Sequence, residues 1–210
     1  GADWFSITPS DLGNHNPFAE IPIDVFIQMH AINRLEERID CFWQGLSQFN
    51  LYCSMLNPKI AYDSNNRLLI EYRFFEKKAG YFRADIVDGI ILLRTFLFIT
   101  NNGTPEGQLL EKNTGLQKLD KQFFRIDKLS TFMNSDLETN TEVKNLFRKS
   151  GCECIIELYN EIKSLMGKKD NHFNFNQILS YINMSNTESV EEQSESTIVT
   201  EHPVGCSVSL

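Results

Sequence analysis

Between Pro22 and Pro58 the chain has no proline, and apolar residues recur at helical spacing: Val25, Met29, Ile32, Leu35, Ile39, Phe42, Leu46 and Phe49. Arg34, Glu37, Arg38 and Gln48 fall on the other side. This pattern predicts one long amphipathic helix. Drawn straight from Ile23 to Leu56 it would span about 51 Å at 1.5 Å per residue. A compact chain of this length has a diameter of roughly 43 Å. The helix must therefore protrude or break, and Gly45 is the expected break.

The period then changes. Leu68, Ile70, Tyr72 and Phe74 alternate with Leu69, Glu71, Arg73 and Phe75, as in a strand with one face on a core. Lys59–Asp63 and the turn Ser64-Asn65-Asn66 complete a hairpin, and Gly80–Arg83 supplies a candidate third strand. A two-stranded ribbon is marginal alone, so helices must cover it. The apolar window Ile86–Ile99, interrupted by Asp88 and Arg94, reads as a buried helix capped by Asp85. Its 14 residues fall short of the roughly 20 that span a bilayer.

Thr104-Pro105-Glu106 has the form of a helix start, with Thr as cap and Pro in the first turn. Further helices are expected over Lys118–Met133, Thr141–Lys149, Glu153–Met166 and Asn174–Asn183. The expected class is thus α+β: a mostly helical single domain over 22–184 with a small antiparallel hairpin at 59–75. Residues 1–21 are turn-rich and expected to be extended, with Trp4, Phe5 and Phe18 as anchors. From Ser185 onward there are acids and no Lys or Arg, the composition of a disordered acidic tail over 185–210.

Charge changes the picture. The 210 residues carry 28 Asp+Glu against 20 Lys+Arg, for a net charge of −8, which argues against a nucleic-acid partner. The N-terminal stretch lacks the basic and apolar regions of a secretory signal, and the five cysteines are sparse and odd in number. Reduced thiols, a bacterial cytoplasmic location and no direct membrane insertion are expected.

Candidate chemistry is thin. Cys152, Cys154 and His172 are too few to enclose a zinc ion, so neither a metal nor another cofactor is expected. Gly103–Gly107 lacks the Lys-Ser/Thr of a phosphate loop, and Gly45-Leu-Ser47 lacks the final glycine of a nucleophile elbow. Glu36, Glu37 and Asp40 beside Arg34 and Arg38 read as solvated helix charges. His30 lies near the apolar stripe and reads as a core or boundary histidine. Asp88 and Arg94 suggest a buried ion pair or, alternatively, a polar pocket in an enzyme of unfamiliar type. The Cys152/Cys154 region is the other enzyme candidate.

Phe is abundant, at 16 residues, and adjacent phenylalanines cannot both point inward on one regular element. Phe74, Phe75, Phe123, Phe124, Phe173 and Phe175 are therefore the candidate partner-binding residues.

In this profile, from the Pro22–Pro58 helix to the acidic tail after Met184, the chain resembles the small acidic adaptors of the Dot/Icm type IVB secretion system. The resemblance implies a non-enzymatic secretion chaperone. Such a subunit binds the C-terminal segment of the coupling ATPase beside partner chaperones and recruits effectors, at the inner membrane only through that complex. An inhibitor or antitoxin whose acidic tail covers a basic partner is the third class left open.

Overall fold

The computed structural model describes residues 5–12, 21–166 and 173–184. The chain divides into two units, Gly1–Phe175 and Asn176–Leu210. In the second unit, 176–184 is helical. The expectations for Trp4, Phe18, His172 and the 185–210 tail fall outside the described residues.

The first unit is built on a six-stranded mixed sheet. Strands β1 (Phe5–Ile7), β2 (Ile23–Ile27), β3 (Ile60–Tyr62), β4 (Leu68–Phe74), β5 (Lys77–Val87) and β6 (Ile90–Phe98) lie in the order β1-β2-β6-β5-β4-β3. Only β2 and β6 run parallel. Helices α1 (Met29–Arg38) and α2 (Gln44–Leu56) follow β2. After β6 come α3 (Pro105–Thr114), α4 (Lys118–Phe123), α5 (Leu129–Met133), α6 (Thr141–Lys149) and α7 (Glu153–Met166). The α+β class holds, and the expected 59–75 hairpin is present as β3–β4 inside a much larger sheet. The candidate third strand is part of β5.

Two expectations are corrected. The long helix over 23–56 begins as a strand, and it breaks at 39–43 rather than at Gly45, which lies within the first turn of α2. Ile23 and Val25 suit β2 because their branched side chains stack on a pleated surface. The window 86–99 is no helix. Its residues form the end of β5, the tip Asp88-Gly89 and β6. Asp88 (φ 50°) and Gly89 (φ 78°) make a two-residue turn whose positive φ angles match the twist of the strands it joins.

One sheet face carries Ile7, Val25, Ile91, Leu93, Phe96, Phe82, Ile70 and Tyr72, all buried and aligned by register. Helix α1 packs on β6 and α2 on β4. Burial of Ala31 and Leu35 under α1 is complete. On the opposite face α7 packs against β5, while Leu92, Arg94 and Thr95 stay half-buried.

Thr104 caps α3 as expected, accepting from the Gly107 N–H at 3.0 Å. A Cβ on Gly107 would lie 1.9 Å from the Asn101 carbonyl oxygen, so only glycine lets α3 start this close to the preceding loop. Helices α6 and α7 occupy the expected spans, joined through Gly151 at φ 73°. The expected 118–133 helix is interrupted between α4 and α5, where Arg125 has φ 54°. Among the described residues no helix is long and apolar enough to cross a membrane.

Candidate functional site

The six phenylalanines singled out by sequence do not form one surface. Phe74 and Phe175 are fully buried and Phe124 nearly so, whereas Phe75 and Phe173 are half-buried. Phe74 and Phe75 meet Phe42 from the α1–α2 connection, with centroids at 4.9 and 6.2 Å. Phe175 packs on Phe132 and Phe147. Of the six, only Phe123 stands out from the surface, 81% exposed. Adjacent phenylalanines do split between inside and outside at 123–124. At 74–75 the positive φ of Phe75 turns its ring back onto Phe74, 4.8 Å away.

The charged candidates are also dispersed. Arg94 pairs with Asp85 at 2.8 Å, while Asp88 sits exposed in the β5–β6 turn. Of the two readings of Asp88 and Arg94, Arg94 follows the ion-pair one, with Asp85 on the neighbouring antiparallel strand as partner, and the two residues are not brought together in a pocket. Arg34 pairs with Glu37, Arg38 with Asp127, and Asp40 accepts from Ser130 on both its oxygens. His30 is exposed rather than at a core boundary. Helix-surface charges thus serve to fix α1, one of them on the segment leading into α5.

Cys152 is buried and Cys154 half-buried at the start of α7. Burial pushes both thiols up, Cys154 to about 12, so neither is a thiolate near neutral pH. Close by, Glu106 of α3 accepts from Lys78 at 2.5 Å and from the Tyr81 hydroxyl at 2.9 Å. Although burial works against its charge, Lys78 is held well above its usual range by Glu106. This arrangement keeps the Lys78 ammonium charged and bonded to Glu106. It positions α3 against β5, with the second carboxylate oxygen, Glu106 Oε2, buried without a hydrogen-bond partner. Among the described residues no three His, Cys, Asp or Glu side chains are grouped to hold a metal ion.

The unusual element is α2, which packs inside out. Its sheet-facing residues are Ser47, Asn50 and Ser54 with Met55, and its outer residues are Phe49, Tyr52 and Leu56, exposed by 61, 45 and 62%. Trp43, immediately before the helix, is 72% exposed and lays its ring over Gly45. The cause lies in the strand beneath. Strand β3 pairs with β4 only as far as Ile70, with the Glu71 N–H reaching the Lys59 carbonyl, so Arg73 lies beyond its end on that edge. The Arg73 N–H and carbonyl turn instead to Ser54 Oγ, at 2.9 and 3.2 Å.

The β4–β5 turn adds a second demand. Phe75 and Glu76 both have positive φ, a conformation costly for residues with a Cβ. Asn50 Oδ1 holds this turn by accepting from the Phe75 N–H at 3.0 Å. The Tyr72 hydroxyl donates to the Ser47 carbonyl at 3.1 Å. At the other end Arg73 donates through Nη2 to the Asn57 carbonyl at 2.8 Å, placing a cation where the helix dipole is negative. Buried backbone groups need partners, so α2 must turn its polar side inward. The apolar side is left outward.

Helix α4 repeats the inversion on a smaller scale. Lys121 is buried and donates to Asn102 Oδ1 at 2.7 Å and the Gly107 carbonyl at 2.6 Å, while Leu119 and Phe123 are exposed. Burial lowers Lys121 to about 8, against the opposing pull of Glu111 and Cys152. Comparison with protein-family models, curated proteins and solved structures finds no match for this chain.

Sequence reading placed Leu46 and Phe49 on a buried stripe and missed the surface they border. The readable signal was the run Gln44–Leu56, which contains no charged residue yet has a polar side of its own in Ser47, Asn50 and Ser54.

Proposed function

We propose that this protein is a non-enzymatic adaptor that works by holding another protein. The observation that carries the reading is the outward apolar face of α2. Exposed hydrophobic side chains scattered singly are ordinary, but Phe49, Tyr52 and Leu56 recur on one side of a single helix beside Trp43. Large aromatic side chains of this kind dominate the energetics of protein interfaces. Burial keeps the Cys152 and Cys154 thiols protonated near neutral pH, which weighs against the Cys152/Cys154 enzyme alternative.

The whole-chain resemblance to small acidic Dot/Icm adaptors gives this reading a concrete partner: the C-terminal segment of a type IVB coupling ATPase, engaged for effector recruitment and hence virulence. The test is titration of the purified full chain with that purified segment, followed by calorimetry. Binding that is lost in Phe49→Asp with the fold intact supports the reading. Absence of binding removes the secretion assignment. Binding unaffected by Phe49→Asp removes α2 as the contact.

A further inference from the structure

The outer side of α2 has a spacing that specifies what it can hold. Gly45, Phe49, Tyr52 and Leu56 are separated by four, three and four residues. That is the 3.5-residue repeat of a coiled-coil seam, with Phe49 and Leu56 equivalent to a positions and Gly45 and Tyr52 to d positions. The Trp43 ring fills the first position, since its nearest atom lies 1.8 Å from where a Gly45 Cβ would be. In the same register Ser47, Asn50 and Ser54 take the b and f positions. Those positions face water in a free coiled coil, and here they are bonded to the sheet or buried on it. The sheet thus holds the back of α2; in the seam Tyr52 meets the Phe5 ring of β1 at 5.2 Å, while Phe49 and Leu56 stand exposed.

The flanks narrow the occupant. Positions e and g are Leu46, Gln48, Cys53 and Met55, none charged, so α2 itself neither repels nor selects by charge. The charge at its N-terminal end comes from α1. Glu36 accepts from Gln44 Nε2 at 2.8 Å and makes no ion pair among the described residues. A second copy would bring net −8 against net −8. A basic helix meets Glu36 favourably and is attracted to the acidic chain as a whole.

We propose that the α2 seam receives an amphipathic helix of another protein, with apolar residues at heptad spacing and Lys or Arg beside them. This rests on the adaptor reading and adds the chemistry of the partner segment. A 13-residue helix offers a contact about 20 Å long, or two heptads of the partner. One such contact suits a reversible complex rather than a permanent one.

The probe is a fluorescein-labelled 21-residue peptide with Leu at a and d and Lys at e and g. Its control has the same composition with the leucines moved off the heptad. Anisotropy titration against the full chain should show the heptad peptide binding about tenfold tighter than the control, the ratio expected for one buried anchor. Phe49→Ser and Leu56→Ser should each remove most of that preference while keeping the wild-type far-UV spectrum. Phe123→Ser, on α4, should leave it unchanged. Glu36→Gln should reduce the salt dependence of binding. Equal binding of the two peptides, or indifference to both seam variants, overturns the proposal. A Phe49-dependent dimer in sedimentation without peptide binding overturns it in favour of a second copy. Should the ATPase segment bind through α2 while the heptad peptide does not, only this inference falls. With the outcomes reversed, only the secretion assignment falls.

Discussion

Helices α1 and α2 follow one another in sequence and lie against the same sheet, yet they are built in opposite senses. In α1, Ala31 and Leu35 are buried while Arg34 and Glu37 pair on the outside. In α2, Ser47, Asn50 and Ser54 are buried while Phe49, Tyr52 and Leu56 face out. The difference lies in what each helix meets. Helix α1 meets β6, an inner strand paired on both sides, by β2 and by β5, although the β5 ladder skips Arg94. Helix α2 meets β4 where it runs past the end of β3, and a turn with positive φ at Phe75 and Glu76, both with backbone groups that need partners. A helix over a strand paired on both sides is held by apolar burial. One over a strand that outruns its neighbour is held by hydrogen bonds, and its apolar residues become available for other work.

Stability measurements can break this comparison. The largest effect is expected at Leu35→Ala, which should cost about 3 kcal/mol in urea unfolding through lost burial and a cavity. A cost near zero would mean that α1 is not held by its core.

Lys121, the buried cation of inverted α4, should give a pH signature. Below pH 8 it is protonated in both folded and unfolded chains, and the folded chain carries the burial penalty in full. Between about 8 and the unfolded value of 10.5 the folded chain has released the proton that the unfolded chain still binds. Stability from this group therefore rises with pH, by about 2 kcal/mol between pH 7 and 9.5. Relative to Lys121→Met, the wild type should gain that amount in denaturant titrations at the two pH values. A constant difference would show that Lys121 is not buried as a charge.

Asn50→Ala should cost about 1.5 kcal/mol, because the Phe75 N–H loses its acceptor inside a turn that already bears positive φ angles. Hydrogen exchange should then quicken at Phe75 before it does in β6. The smallest effect is expected at Leu56→Ala, within about 0.5 kcal/mol, since this side chain is largely in water. A loss comparable to that at Leu35 would show that the outer side of α2 is covered in the free protein and is not a docking face.

Some elements were legible because their signals are local. Thr104-Pro105 marks the start of α3, Ser150-Gly151 separates α6 from α7, and the alternation from Leu68 onward marks β4. Each depends on side chains acting on their own backbone within a few residues. The stretch 86–99 was illegible by period because Leu92 and Leu97 interleave with the buried Ile91, Leu93, Phe96 and Phe98, so both faces read as apolar. Branched Ile86, Val87, Ile90 and Ile91 around Asp88-Gly89 carried the strand signal that the period hid. The candidate site was less legible still. Neighbouring Phe pairs pointed to residues that mostly fill the core, while Trp43, Tyr52 and Leu56 went unmarked.

Sequence alone determined that α2 has two chemically distinct sides and that 59–75 is a hairpin, because periodicity is a property of the chain. It could not determine which side of α2 faces in. A helical wheel is the same whether its apolar half meets a core or water. The choice was made by β4, which runs past the end of β3 at Arg73 and enters the positive-φ turn at Phe75-Glu76, so that its N–H and carbonyl groups there turn to whatever packs above them. Those groups lie about 20 residues away in sequence, and no local signal in Gln44–Leu56 registers them. An unpaired buried backbone group costs about as much as burying one side chain yields, so two such sites suffice to turn the helix over.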